Sequence, residues 1–112
     1  MATNRIKALI LKSVASSAVT GSYAALNPLG AEGPCFMLRI VNQSDTAVTV
    51  SFDGTNDNEI VQANTFLNIE TNSLGVPAGR VALFPIGQKV YVKGSAGTGT
   101  IYLSGYYQPI GE

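Results

Sequence analysis

Histidine and tryptophan are absent from this 112-residue chain, cysteine occurs once, and charged side chains make up only 12% of it, about half the usual share. Without histidine there is no ordinary Ser-His or Cys-His pair, and the common zinc sites lose their main nitrogen ligand. The single cysteine, Cys35, excludes an intramolecular disulfide framework and reads as a buried structural thiol. Seven basic residues balance seven acidic ones, so no long-range field gathers phosphates or holds the chain on an anionic surface. Neither nucleic acid nor a membrane is an expected partner. Long apolar runs are also missing: Ala8-Leu-Ile-Leu11 follows Arg5 and Lys7, but Lys12 ends it. That is well short of a signal-peptide core of roughly seven residues, or of the roughly twenty that span a bilayer. A soluble protein made in a cytoplasm is the expectation.

What is present is 46% hydrophobic residues, twelve glycines and a polar surface built from Ser, Thr and Asn. A chain of this length forms one domain, residues 1–112, burying roughly two thirds of its unfolded surface. Hydroxyls and amides are far cheaper to desolvate than ions, so a surface of this composition suits permanent assembly.

Period-2 alternation dominates the pattern. In Arg39-Ile-Val-Asn-Gln-Ser-Asp-Thr-Ala-Val-Thr-Val-Ser-Phe-Asp-Gly54, two strands flank a polar turn and read as a hairpin. Phe36, Leu38 and Ile40 are expected on one face, with Cys35, Met37, Arg39 and Val41 on the other. Further strands are expected at Glu59 to Ile69, Val81 to Phe84, Lys89 to Lys93 and Thr100 to Tyr107, and a loop at Asn27 to Pro34. Residues 1–14 read as a first strand or an extended arm, because β-branched residues and serines weaken a helix there. No long helix separates the strands. The expected fold is all-β, an antiparallel sandwich or barrel, jelly-roll-like, of seven to eight short strands.

Three local motifs invite chemistry. Asp53-Gly-Thr-Asn-Asp-Asn-Glu59 clusters oxygen side chains as calcium sites do, making Asp53, Asp57 and Glu59 the metal candidates. The EF-hand spacing fails, however, and a turn in which Asp and Asn bond their own backbone accounts for the same residues. Gly94-Ser-Ala-Gly-Thr-Gly-Thr100 lacks the lysine and the following helix of a phosphate-binding loop and reads as a flexible hairpin link between strands. Asn42-Gln-Ser44 fits a glycosylation pattern but is more simply the polar turn. A carboxylate pair drawn from Asp45, Asp53, Asp57, Glu59 and Glu70 would have to keep a raised pKa in solvated turns, so no catalytic residue and no cofactor is expected.

The last strand gives the positive lead. Tyr102, Ser104 and Tyr106 share one face while Ile101, Leu103 and Tyr107 share the other, and exposed tyrosines are typical of protein interfaces and sugar-binding platforms. The residue order Thr20-Gly-Ser-Tyr-Ala-Ala-Leu26, Ile40-Val-Asn-Gln-Ser-Asp45, Val50-Ser-Phe-Asp-Gly-Thr-Asn-Asp57 and Val90-Tyr-Val-Lys-Gly-Ser-Ala-Gly-Thr-Gly99 with Tyr102 resembles small structural proteins of tailed bacteriophages. The resemblance implies a β-sandwich or barrel in the virion, made in the host bacterium. Such a protein serves as capsid decoration or cement on the major capsid protein, as a head-to-tail connector, or as a tail subunit. It also implies a homo-oligomer, a trimer for many cement proteins. The expected interface residues are Arg5, Lys7, Tyr102, Tyr106 and Tyr107. A carbohydrate-binding module for host adsorption is the alternative, with the lack of tryptophan against it.

Overall fold

Strand-forming alternation carries through the chain, and the computed structural model, which describes residues 6–70 and 84–107, turns it into nine strands. They are β1 (Lys7–Ala8), β2 (Lys12–Ala15), β3 (Ala24–Ala25), β4 (Cys35–Ser44), β5 (Val48–Ser51), β6 (Glu59–Val61), β7 (Thr65–Glu70), β8 (Tyr91–Gly94) and β9 (Gly99–Tyr107). A single 3₁₀ turn, Ser16–Ala18, is the one helical element among the described residues. All pairings are antiparallel. The first sheet runs β9-β4-β7, with β1 and β2 end to end along the free edge of β9, and the second runs β3-β8-β5-β6. The expected sandwich is what forms.

The core lies where the inward rows of the two sheets meet. Leu38 and Ile40 of β4 and Ile101 and Leu103 of β9 face Val48 and Val50 of β5, Val61 of β6 and Val92 of β8. Phe52 and Phe84 stack at its margin, 5.6 Å between ring centroids. Among the described residues no helix is long and apolar enough to cross a membrane.

Four expectations need correction. The stretch from Arg39 to Gly54 is not a hairpin, because β4 and β5 belong to different sheets and face each other across the core. The run Glu59 to Ile69 is not one strand either. It breaks at Ala63-Asn64, where Asn64 adopts φ 58°, and its halves also lie in different sheets. Gly94 to Thr100 likewise carries the chain from the second sheet to the first and makes no hairpin. Finally, Cys35 is fully buried on the core side, because a bulge between Cys35 and Met37 makes Phe36 an extra residue and flips the alternation before it. Of the expected strand Val81 to Phe84 only Phe84 lies within the described residues, where it bridges Cys35.

The three crossings lie at one end of the sandwich and are laced by buried amides and hydroxyls. Asn42, fully buried in β4 and not in a turn, donates from Nδ2 to Thr46 O at 2.8 Å, Val61 O at 3.1 Å and Gln62 O at 3.2 Å. Its Oδ1 accepts from the Ser44 amide at 3.2 Å and from the Ser44 hydroxyl. Asp45 Oδ1 holds the third crossing through the Thr98 amide at 2.9 Å. Residues that read as a polar turn are therefore the interior latch that turns two would-be hairpins and one would-be continuous strand into a sandwich corner.

Candidate functional site

The register of the first sheet decides which side chains share its outer face, since residues directly opposite across antiparallel strands project together. Tyr106, Met37 and Glu70 form one row, Ser104, Arg39 and Asn68 the next, and Tyr102, Val41 and Phe66 the third. Phe66 is 63% exposed and Tyr106 41%. Met37, Val41 and Tyr102 are half-buried by their neighbours. Arg39 lies in the middle, its Nε donating to Asn68 Oδ1 at 2.6 Å and its guanidinium carbon 5.8 Å from the Phe66 ring centroid. A shallow hollow of about 370 Å³ adjoins Phe66, lined also by Val41, Gln43 and Thr65. Charge on these three rows is limited to Arg39 and Glu70. The face can bury aromatic and aliphatic area against a partner with little ionic desolvation.

The acidic loop between β5 and β6 is consumed by its own turn. Asp53 Oδ1 accepts the Thr55 and Asn56 amides, both at 2.8 Å, and Ser51 Oγ donates to it at 2.8 Å. Asn56 Nδ2 donates to the other oxygen at 2.7 Å. Amides of Asn56 and Thr55, then side-chain donors, hold the Asp53 carboxyl well below the usual range. Gly54 takes φ 78° so that the loop can turn over the Tyr91 ring. Asp57 accepts from the Tyr23 hydroxyl and pairs with Lys93 Nζ at 3.1 Å. The Tyr23 bond, then Lys93, lowers its pKa. Tyr23 is pushed up to about 12, first by desolvation and then by the Asp57 bond and the nearby negative charges. Lys93 Nζ sits 4.6 Å from the Tyr23 ring centroid. Among the described residues no group of three acidic, cysteine or histidine side chains is placed to hold a metal ion.

Of the expected interface residues, Tyr102 and Tyr106 stand on the outer face, whereas Tyr107 is on the opposite side, packed against the core beneath Gly33. Lys7 is exposed in β1, opposite Tyr107. Arg5 lies outside the described residues. Sequence reasoning missed Phe66, Val41 and Met37, whose membership in the face depends on strand register. The Phe66-Asn68-Glu70 alternation was the available signal. Comparison with known proteins finds no family model, characterised protein or solved structure that matches the chain.

Proposed function

We propose that this protein is a non-enzymatic assembly module that adheres through the outer face of its first sheet, acting as a decoration or cement protein on the head of a tailed bacteriophage. The observation that carries the adhesive part is the Tyr102-Val41-Phe66 row with Tyr106 and Met37 beside it: aromatic area held on a rigid sheet with almost no charge. Tyrosine and phenylalanine on a flat frame lose little rotamer entropy when covered, and the scarcity of ions keeps desolvation cheap. The phage setting comes from the residue-order resemblance. Placed across a seam between capsid subunits, each copy adds burial that must be broken before the shell expands or bursts. Many copies then convert modest contacts into large stability.

The test is reconstitution. Virions stripped of the protein are resupplied with the natural chain or with Phe66→Ser/Tyr102→Ser/Tyr106→Ser, and heat-induced genome release is measured. The natural chain restores robustness and the triple variant does not. Equal robustness with and without the protein removes the cement reading, and a copy number matching a single ring moves it to a connector.

A second reading, carbohydrate binding, is favoured by one feature: Tyr102 and Phe66 flank Val41 in a row beside the polar Arg39 and Asn68, as on a sugar-stacking platform. A blank glycan array excludes it.

A further inference from the structure

The backbone groups along the outer side of an edge strand need a partner, and a sheet protein ordinarily blunts such a strand with shortness, charge, proline or a bulge. Three of the four edges among the described residues are blunted in this way. In the second sheet β3 has two residues, and β6 has three and begins at the charged Glu59. In the first sheet the β1-β2 edge carries Lys7 and Lys12 and is broken by a bulge, since Leu9, Ile10 and Leu11 lie opposite only Ser104 and Gly105. The fourth edge has no such device. Strand β7, Thr65-Phe-Leu-Asn-Ile-Glu70, is six residues long and regular against β4, with no proline, no glycine and its one charge at its last position. Among the described residues nothing pairs with its other side.

What the edge asks of an added strand can be read from its two faces. Inward, Leu67 and Ile69 stand opposite the core residues Ile40 and Leu38 but are only half-buried, so the newcomer should bring apolar residues at alternate positions. Outward, Arg39 reaches from β4 over β7, its Nε bonded to Asn68 Oδ1 at 2.6 Å and its guanidinium carbon 5.8 Å from the Phe66 ring centroid. It has no acidic partner among the described residues, so the newcomer should bring a carboxylate opposite Phe66. One sequence on the page meets both demands, and it is β7 itself.

We propose that β7 of one copy pairs antiparallel with β7 of a second across a two-fold axis at Asn68, joining the two first sheets into one. Two registers match the faces while pairing five residues of the strand, one centred on Leu67 and one on Asn68. Charge separates them. Centring on Asn68 sets Phe66 opposite the partner's Glu70, beneath the Arg39 guanidinium, and the two-fold makes that pair twice; centring on Leu67 puts the partner's Glu70 opposite Asn64, past the guanidinium. In the favoured register Leu67 meets the partner's Ile69 over the open margin of the core, and the Asn68 amides face one another on the axis. The contact is isologous and closes at two copies. Because the axis is perpendicular to the sheet, the two outer faces lie side by side and turn the same way. The pairing uses the strand edge and stands independently of what those faces bind.

Charge exchange and cross-linking test the register. Sedimentation velocity of the purified natural chain, up to about 100 µM, shows a dimer and nothing larger. Arg39→Glu and Glu70→Arg each place two like-charge pairs across the axis, so either variant alone associates about tenfold or more weakly. An equal mixture of the two recovers the dimer, because every pair across the axis is again of opposite sign. Loss of a merely structural contact within one chain would not be rescued by mixing. Asn68→Cys cross-links to a covalent dimer under mild oxidation, with Cys35 fully buried and out of reach. Phe66→Cys does not, since its mate lies four strand positions away, roughly 13 Å. Circular dichroism of every variant checks the fold. A natural chain that stays monomeric, a mixture that stays monomeric, species that grow beyond two copies, or equal cross-linking at the two cysteine positions overturns the pairing. A monomeric chain that still restores stripped virions would remove the pairing and keep the adhesive face.

Discussion

Replacing Asn42 by alanine tests the interior latch directly. The side chain offers two N–H donors shared among three carbonyls at 2.8, 3.1 and 3.2 Å, and one oxygen that accepts from the Ser44 amide and hydroxyl. Alanine removes all of these at a fully buried position. Each lost bond is worth about 1 kcal/mol net, and a buried group left with no partner costs about 1–3 kcal/mol. Thr46 O keeps a partner in the Ser44 hydroxyl at 2.9 Å, which limits the damage, so the total comes to about 3–5 kcal/mol. A domain of this size is stable by roughly 5–15 kcal/mol, so the variant sits close to unfolding. Urea titration followed by far-ultraviolet circular dichroism reads it out. With a slope near 2 kcal/mol/M the midpoint falls by about 2 M, and the melting temperature by roughly 12–20 °C. Asn42→Asp sharpens the test, because it keeps the shape but aims an acceptor at three carbonyl oxygens. It is at least as unstable at neutral pH and recovers partly on acidification, when the protonated carboxyl regains one donor. A loss below about 1 kcal/mol for Asn42→Ala would refute the latch.

Other outcomes follow from single observations. Ser16 is fully buried and its hydroxyl has no partner among the described residues, so Ser16→Ala is neutral or stabilises by about 1 kcal/mol; a loss above that in the same titration means the hydroxyl is satisfied. The lowered pKa of Asp53 contributes stability that is present above the unfolded value near 4 and is lost as pH falls through the folded value. The urea midpoint of the natural chain therefore drops more steeply below pH 4 than that of Asp53→Asn, and parallel curves contradict this. Burial first, then the Glu32 charge, pushes the Cys35 thiol up to about 11. A thiol reagent at pH 8 consequently labels it only at the rate of unfolding, whereas rapid labelling of the native protein places it at the surface.

Much of the architecture is written in the alternation. Ile101-Tyr-Leu-Ser-Gly-Tyr-Tyr107 sorts its faces correctly, and the loop at Asn27 to Pro34 and the turn chemistry of Asp53-Gly54 appear where the residue types demand them. What the pattern does not carry is which strands are neighbours. Alternation on both sides of Asp45-Thr-Ala47 is the same for a hairpin and for a corner between sheets, and the difference lies in Asn42, whose amide is buried three residues before the turn. The bulge at Phe36 is equally silent, because one extra residue changes the face of Cys35 without changing composition. The candidate site was half legible for the same reason. Tyr102 and Tyr106 declare themselves within one strand, but Phe66, Val41 and Met37 join them only through register.

The central claim is that the outer face of the first sheet is the working surface of a shell-bound adhesion protein. An electron cryomicroscopy reconstruction of the particle carrying this chain tests it most directly. Many copies across seams between capsid subunits, with Phe66, Tyr102 and Tyr106 covered, is the predicted result. Copies whose first sheet faces solvent while another surface meets the shell would contradict it.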